Sequence, residues 1–346
     1  MGELVFVGLG LGDKGVSLAG IDAIKRADVA YLETYTSPPS PKLAPNLEAA
    51  TGKKIEPIDR EALENGEKIL KQASTSSVAL AVQGDPMIAT THIDLRGRAI
   101  SRGIATRIVH GAAISSAAAS ESGLHVYKFG GPFTFTRESK NSHQEAYQSV
   151  HRNLLGGQHT LFLLEYDVEK SSGAEPAFVF ERLLAAEKNF KLGVLGDGTF
   201  ALILSRVGME DQALWGGSLE DGRRGKFGRP PHAVIIPGPL HFTEAEALSS
   251  LLRIEVSRVP DNAAGVKRTA QVLVPKYVAK AKKALGQARL ALKDKHEDLL
   301  ENAELYLRDS ENFLANNQDE LAMLGVGYAE GLIDALNFQG EVNLDW

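Results

Sequence analysis

The 346-residue sequence is 43% hydrophobic and 24% charged, with a net charge of −6 and a pI near 5.9, a composition that suits a globular protein with ample core and argues against a mainly electrostatic nucleic-acid binder. It contains no cysteine, which excludes disulfides, thiolate metal sites and thiol nucleophiles. No apolar run approaches the roughly 20 residues of a membrane span, and no basic, apolar leader opens the chain; the expectation is a cytoplasmic protein with no membrane partner.

The first third alternates strand and helix signals. "LVFVGL" predicts a buried strand, 16–26 has helical apolar spacing, and "ADVAYLE" predicts a second strand. A proline-rich loop, 37–45, and an amphipathic helix, 61–72, lead to the strand "VALAVQGDP". The helix "HIDLRGRAISRG" ends at Gly103, and "ATRIVHG" is a strand. This order predicts an α/β unit with a largely parallel sheet. A second α/β unit follows: the small-residue helix "AAISSAAASESG", the strand "HTLFLLEY", the helix "PAFVFERLLAAEKNF", the strands "FALILSRVG" and "HAVIIPG", and the helix "TEAEALSSLL". The two late strands are expected to pair antiparallel. The predicted domains are 1–111, 112–258 and 262–346.

From Pro260 the pattern is helical, interrupted by Pro275 and by "NNQD" at 316–319. Leu300, Ala303, Leu307, Phe313 and Leu314 make one apolar stripe. Leu321, Leu324, Tyr328, Leu332 and Leu336 make another. Two helices about a short polar loop predict an αα-hairpin. The segment 276–295 is mostly basic and the part after Glu297 mostly acidic.

Gly10, Gly12 and Gly15 spell G-x-G-x-x-G after a strand, and Glu33 stands where a dinucleotide site would place its ribose-binding acid. A tight turn with no ligand fits the same residues. "GDPMIATTH", 84–92, is a second strand-end turn, offering backbone donors and the Asp85 carboxylate, or merely a capped turn. His232, after two prolines, is either a surface residue or a cleft residue. No metal-ligand spacing, nucleophile elbow or P-loop lysine is present, so metal, acyl-transfer and nucleotide-hydrolysis chemistry are not expected.

Taken in order, "FVGLGL", "YLETYTS", "GDPMIATTHIDLR", "LHVYKFG", "HTLFLL" and "PPHAVIIPGPLHFTEAE" resemble the diphthine synthase family of the tetrapyrrole-methylase-like superfamily, over residues 1 to 258. The resemblance implies an α/β, two-domain tetrapyrrole-methylase-like fold, carrying the C-terminal α-helical hairpin as an addition. It implies an S-adenosyl-L-methionine-dependent methyltransferase of diphthamide biosynthesis, usually a homodimer. The expected acceptor is the 3-amino-3-carboxypropyl amine on a histidine of translation elongation factor 2. The glycine turn then serves S-adenosylmethionine, and its dinucleotide likeness is accidental. Carried onto this chain, the donor pocket comprises Leu11, Asp85, Ile88, Ala113, Ile114, Leu164, Val207 and His232. Apolar walls suit the adenine and a carboxylate suits the cationic donor. No general base is assigned; Glu165 and Asp85 are the candidates for receiving the amine proton.

The family commonly carries Asp at the position of Glu165 and often Ser at that of Ala113, and after "YKFG" it has a different, proline-containing stretch. Here that stretch, 131–141, places Phe133, Phe135, Arg137 and Lys140 in a surface loop that could contact the elongation factor or simply be solvated. The tail resembles an archaeal helical-hairpin domain of unknown function, either a docking element of unknown partner or a stabilising appendage. The competing readings are another methylase of the superfamily, acting on a tetrapyrrole or ribosomal RNA, and a non-catalytic binding scaffold.

Overall fold

The apolar run after Gly2 forms strand β1 (Glu3–Gly8), buried from Leu4 onward. Leu4 and Phe6 pack on one side with Tyr31, Leu80 and Leu95; Val5 and Val7 pack on the other with Ile24, Leu32 and Leu47. Burial on both faces is what a parallel sheet under crossover helices requires. The computed structural model describes residues 2–37, 40–137, 140–168, 172–255, 259–293 and 295–344, with the backbone alone for 140–142. The chain divides into two compact units, Met1–Ala264 and Gly265–Trp346.

In the first unit, β1 joins β2 (Val29–Glu33), β3 (Glu56–Ile58), β4 (Ser77–Val82) and β5 (Ala105–Val109). Their order is β3-β2-β4-β1-β5, and every pair is parallel. Helices α1 (Leu18–Arg26) and α2 (Leu43–Thr51) cover one face. The other is covered by α3 (Arg60–Asn65), α4 (Glu67–Ala73) and α5 (His92–Ser101). Two details differ from expectation. Helix α2 takes in the end of the proline-rich loop, whose Pro38 and Pro39 lie outside the described residues. The helix expected over 61–72 is split at Gly66, where a φ of 69° ends α3.

Next come α6 (Ile114–Ser122), β6 (Phe133–Phe135), α7 (Lys140–Leu155), β7 (Thr160–Leu164), and the short pair β8 (Tyr166–Asp167) and β9 (Ser172–Gly173). Then follow α8 (Pro176–Phe190), β10 (Phe200–Ser205), β11 (Ala213–Ser218), α9 (Leu219–Arg224), β12 (His232–Ile236) and α10 (Phe242–Leu252). The larger sheet runs β11-β10-β12-β7-β6. β10 and β12 pair antiparallel as expected, with Leu204 opposite Ala233. β6 lies parallel to β7 at the edge, within the stretch expected as a surface loop. There Phe135 is buried, stacked on His143 at 5.1 Å and edge-on to Phe162 and Phe178. It cannot serve a docking face. Arg137 is exposed, and the side chain of Lys140 lies outside the described residues.

The second unit has three helices where a hairpin was expected: α11 (Thr269–Leu292), α12 (Glu297–Ala315) and α13 (Asp319–Phe338). Helix α11 continues through Pro275. An interior proline costs about 3 kcal/mol, and here Val274, Val278 and Ala281 on the same helix are buried in the unit's core. Leu300, Ala303 and Leu307 of the first stripe are buried as expected. The second stripe holds only in part: Leu336 is buried and Leu332 packs against the core. Helix α13 faces the core with Ala322, Val326, Ala329, Ile333 and Leu336, whereas Leu321, Leu324 and Tyr328 are exposed. The inward face is the small one because the helices cross closely: a Cβ on Gly325 would lie 2.4 Å from Ser310 Oγ. No described helix is long and apolar enough to cross a membrane.

Candidate active site

The carboxyl ends of β2, β4, β1 and β5 lie side by side, where an open α/β sheet places its ligands. The segments that follow them supply one wall of a cleft of ≈ 530 Å³; β7, β10, β12 and the segments that follow β7 and β10 supply the other. That volume lies within the roughly 300–1,000 Å³ of small-molecule sites.

The first wall is made of backbone. Gly10 and Gly84 form an isolated two-residue bridge, Gly10 N–H to Gly84 O at 3.1 Å and Gly84 N–H to Gly10 O at 2.9 Å. A Cβ on Gly111 would stand 2.4 Å from Gly84 O and 2.8 Å from Gly10 N, so three strand ends touch main chain to main chain. Gly12, at φ +73°, abuts the second wall: its Cβ would meet Gly208 O at 2.0 Å. This accounts for the glycine pattern without a dinucleotide. Helix α1 begins only at Leu18, and Ser17 caps it by accepting from Gly20 N. A dinucleotide fingerprint instead runs straight into its helix. Glu33 is buried, and one of its oxygens accepts from the backbone N–H groups of Tyr35 and Thr36. It holds its own turn and does not line the cleft.

All eight residues singled out from the sequence line this one cleft. Leu11 follows the first glycine turn. Asp85 is buried in the second: Oδ1 accepts from Met87 N at 2.9 Å, while Oδ2 lies 2.7 Å from His110 Nδ1 and 3.3 Å from Gly111 N. Its carboxylate therefore ties the β4 turn to the β5 turn, which adds a structural duty to the charge expected of it. Ile88 stands exposed at the rim. Ala113, the N-cap of α6, offers no capping side chain and leaves the helix start open, with Ile114 as the first helical residue. Leu164 ends β7, and Val207 is buried just after β10.

His232 opens β12 and is buried, with Nδ1 2.9 Å from Ser205 Oγ. Its Nε2 is buried without a hydrogen-bond partner among the described residues; a Glu175 carboxylate oxygen stands 3.7 Å away. Burial, seconded by the Arg206 charge and opposed by a contact to the Gly228 backbone, pushes its pKa down to about 4. A neutral imidazole with one unsatisfied buried nitrogen is a polar handle left for a ligand.

Residues not singled out as site residues from the sequence also line the cleft, among them Tyr35, Arg60, Glu64 and Thr91. Arg60 and Glu64 belong to a polar amphipathic stretch and carry no local signal; only the fold brings α3 to the cleft. Of the two proton-acceptor candidates, Asp85 is engaged in its turn. Glu165 is half-buried and, among the described residues, has a single oxygen engaged, accepting from Arg137 N at 3.2 Å.

Elsewhere in the same unit, a buried network explains two motifs that line no part of the cleft. Glu244, in "PGPLHFTEAE", accepts from His125 N at 2.7 Å, His241 N at 2.8 Å, His159 Nε2 at 2.9 Å and Lys128 Nζ, of "YKFG", at 2.5 Å. Gly238 N donates to His159 Nδ1, which fixes the His159 tautomer. Burial opposes the Glu244 charge, but Lys128 and the backbone donors outweigh it and hold the carboxyl down at about 2.

Residues 3–221 match the family of Tetrapyrrole (Corrin/Porphyrin) Methylases. Residues 276–342 match a second family, described as a protein of unknown function (DUF357). The diphthine synthase of Methanosarcina mazei is 38% identical over 255 residues, covering 72% of this chain and 95% of that protein. That of Methanosarcina barkeri is 37% identical, with the same coverage. A crystal structure of diphthine synthase superposes with a TM-score of 0.65 at 31% identity, covering 74% of this chain and 98% of the other.

Proposed function

The chain belongs to the tetrapyrrole methylases and, within them, to the diphthine synthases, and from that membership we propose that its cleft methylates the 3-amino-3-carboxypropyl histidine of translation elongation factor 2. The enzyme is a methyltransferase that takes S-adenosylmethionine as donor. The observation that carries the site assignment is the convergence of Leu11, Asp85, Ile88, Ala113, Ile114, Leu164, Val207 and His232 on one cleft.

The residues suit the donor. Leu11, Ile114, Leu164 and Val207 make the apolar wall an adenine needs, the glycine turns let backbone approach closely, and His232 Nε2 awaits a polar partner. When bound, S-adenosylmethionine supplies an electrophilic methyl that passes to the amine nitrogen as the carbon–sulfur bond breaks and its electron pair stays on sulfur. The chain's contribution is alignment and exclusion of water. Asp85 fixes the two turns against each other, and Glu165 is the group placed to receive the amine's proton.

In this reading the chain works in the cytoplasm as a homodimer. Its parts are 1–111 and 112–258, which hold the donor between them, and 262–346, a separable module. The test is mass spectrometry of elongation factor 2 bearing the modified histidine, incubated with the enzyme with and without donor. A donor-dependent gain of methyl mass is expected. Transfer to a porphyrinogen or ribosomal RNA instead would favour the sister activities, and donor binding without transfer a scaffold.

A further inference from the structure

The cleft is larger than the set of residues assigned to the donor, and what remains is polar and charged. Arg60, the first residue of α3, lines the cleft on the side of the parallel sheet. Its Nε donates to Glu64 Oε1 at 2.8 Å, and its guanidinium lies 5.8 Å from the centre of the Tyr35 ring. The Tyr35 hydroxyl is in turn 3.4 Å from Thr91 Oγ1. Glu64 and the Tyr35 ring are the neighbours that orient the guanidinium. Its two terminal nitrogens have no hydrogen bond among the described residues, so the edge that forks a carboxylate is left open. Glu165 lines the opposite wall, and its second carboxylate oxygen has no hydrogen bond among the described residues. Arg60 is held above its usual pKa by Glu64 first and, more weakly, by Tyr35 and Glu165.

We propose that Arg60 and Glu165, on opposite walls of the cleft, clamp the free α-amino acid end of the acceptor, Arg60 taking its α-carboxylate and Glu165 its α-amino group. The clamp rests on the acceptor reading above. An exposed Arg–Glu pair one helical turn apart is ordinarily worth little for stability; here both residues line the cleft, which gives the pair a use beyond stability. A clamp there suits an acceptor that arrives on a macromolecule, since only its extended side chain enters. It also states a specificity rule: the acceptor must carry a carboxylate beside the reacting amine. A tetrapyrrole ring carbon or an RNA base has no such pair. The proton balance is simple. The ammonium gives one proton to Glu165, the neutral amine attacks the methyl, and Glu165 returns its proton to water.

The experiment uses the full-length chain and two peptides. One carries 3-amino-3-carboxypropyl histidine; the other carries 3-aminopropyl histidine, which lacks only the carboxylate. Wild type is expected to favour the carboxylated peptide by roughly ten- to a hundredfold in kcat/KM, the value of a charged, forked hydrogen bond. Arg60→Gln should lose that preference by slowing on the carboxylated peptide alone, chiefly through KM, with donor affinity unchanged. Arg60→Lys should recover part of it. Glu165→Gln should slow both peptides alike. Retention of the wild-type preference by Arg60→Gln overturns the clamp. Transfer by wild type to neither peptide overturns the acceptor reading, and the clamp falls with it.

Discussion

On the side of the parallel sheet the cleft presents Gly10, Gly12, Gly84 and Ala113; on the side of the mixed sheet it presents Leu164, Glu165, Val207 and His232. At its glycine turns the first wall is main chain, because three strand ends and the Gly208 turn meet backbone to backbone. The second is defined by what its side chains carry. Changes at those glycines should therefore act through the backbone and be all-or-none. Changes on the second should be graded and chemical.

The comparison breaks most sharply at Gly12. An added Cβ would sit 2.0 Å from Gly208 O on a residue at φ +73°. Gly12→Ala should cost about 2–5 kcal/mol from left-handed strain and overpacking together, read as a lower thermal midpoint and lost donor binding. An unchanged midpoint would mean that the walls do not meet there.

The second-largest effect belongs to the mixed-sheet half. Glu244→Ala strips a buried acceptor from Lys128, His159 and two backbone donors. It should cost about 3–5 kcal/mol in chemical denaturation. The Glu244 carboxyl is lowered on folding from 4.5 to about 2. Its stabilisation is thus complete above pH 4.5 and lost as the pH falls towards 2. His159, lowered chiefly by burial, adds a loss in the same direction. The wild type should therefore weaken with acid over that window more steeply than the variant. Parallel acid profiles would count against the network.

These residues also mark what the sequence discloses. Apolar runs were enough for four strands of the first sheet, but not for β3, whose three residues, "EPI", have only Ile58 buried. For α8, a proline at its first position and "FVFERLLAAEKNF" gave both ends. Helix α7 stayed hidden because its buried positions, Ala146, Tyr147, Val150 and Leu154, are set among His, Gln, Asn and Ser. β11 stayed hidden because "ALWGGS" holds two glycines where a strand signal wants branched residues. On α13, Leu332 and Leu336 were read correctly, but Leu321, Leu324 and Tyr328 were not, since the close crossing at Gly325 turns that half of the helix inward through small residues. That the strand-end turns share one cleft was legible from their glycines and from family likeness. Arg60 was not, because its meaning depends on Tyr35 and Glu165, which are distant in sequence.

Two smaller effects sharpen the contrast. Ending the chain at Ala264 removes a unit with its own core. The remainder should stay folded and bind donor within about twofold of the full chain, well under the 1.4 kcal/mol of a tenfold change; aggregation would show that the three helices cover core surface. Gly97 lies inside α5 with nothing within 4 Å of an added Cβ. Gly97→Ala should raise stability by about 0.5–1 kcal/mol, the opposite sign to Gly12→Ala at the cleft. A loss there would show that the glycine contrast is not one of local space.

The most direct test of the cleft assignment is a calorimetric titration of the full-length chain with S-adenosylhomocysteine, the demethylated donor, run beside NAD and repeated with His232→Ala. The account predicts one site per chain for S-adenosylhomocysteine and none for NAD. It also predicts a roughly tenfold or greater weakening when the unpartnered His232 nitrogen is removed. Binding of NAD, or a folded chain that binds neither, would contradict it.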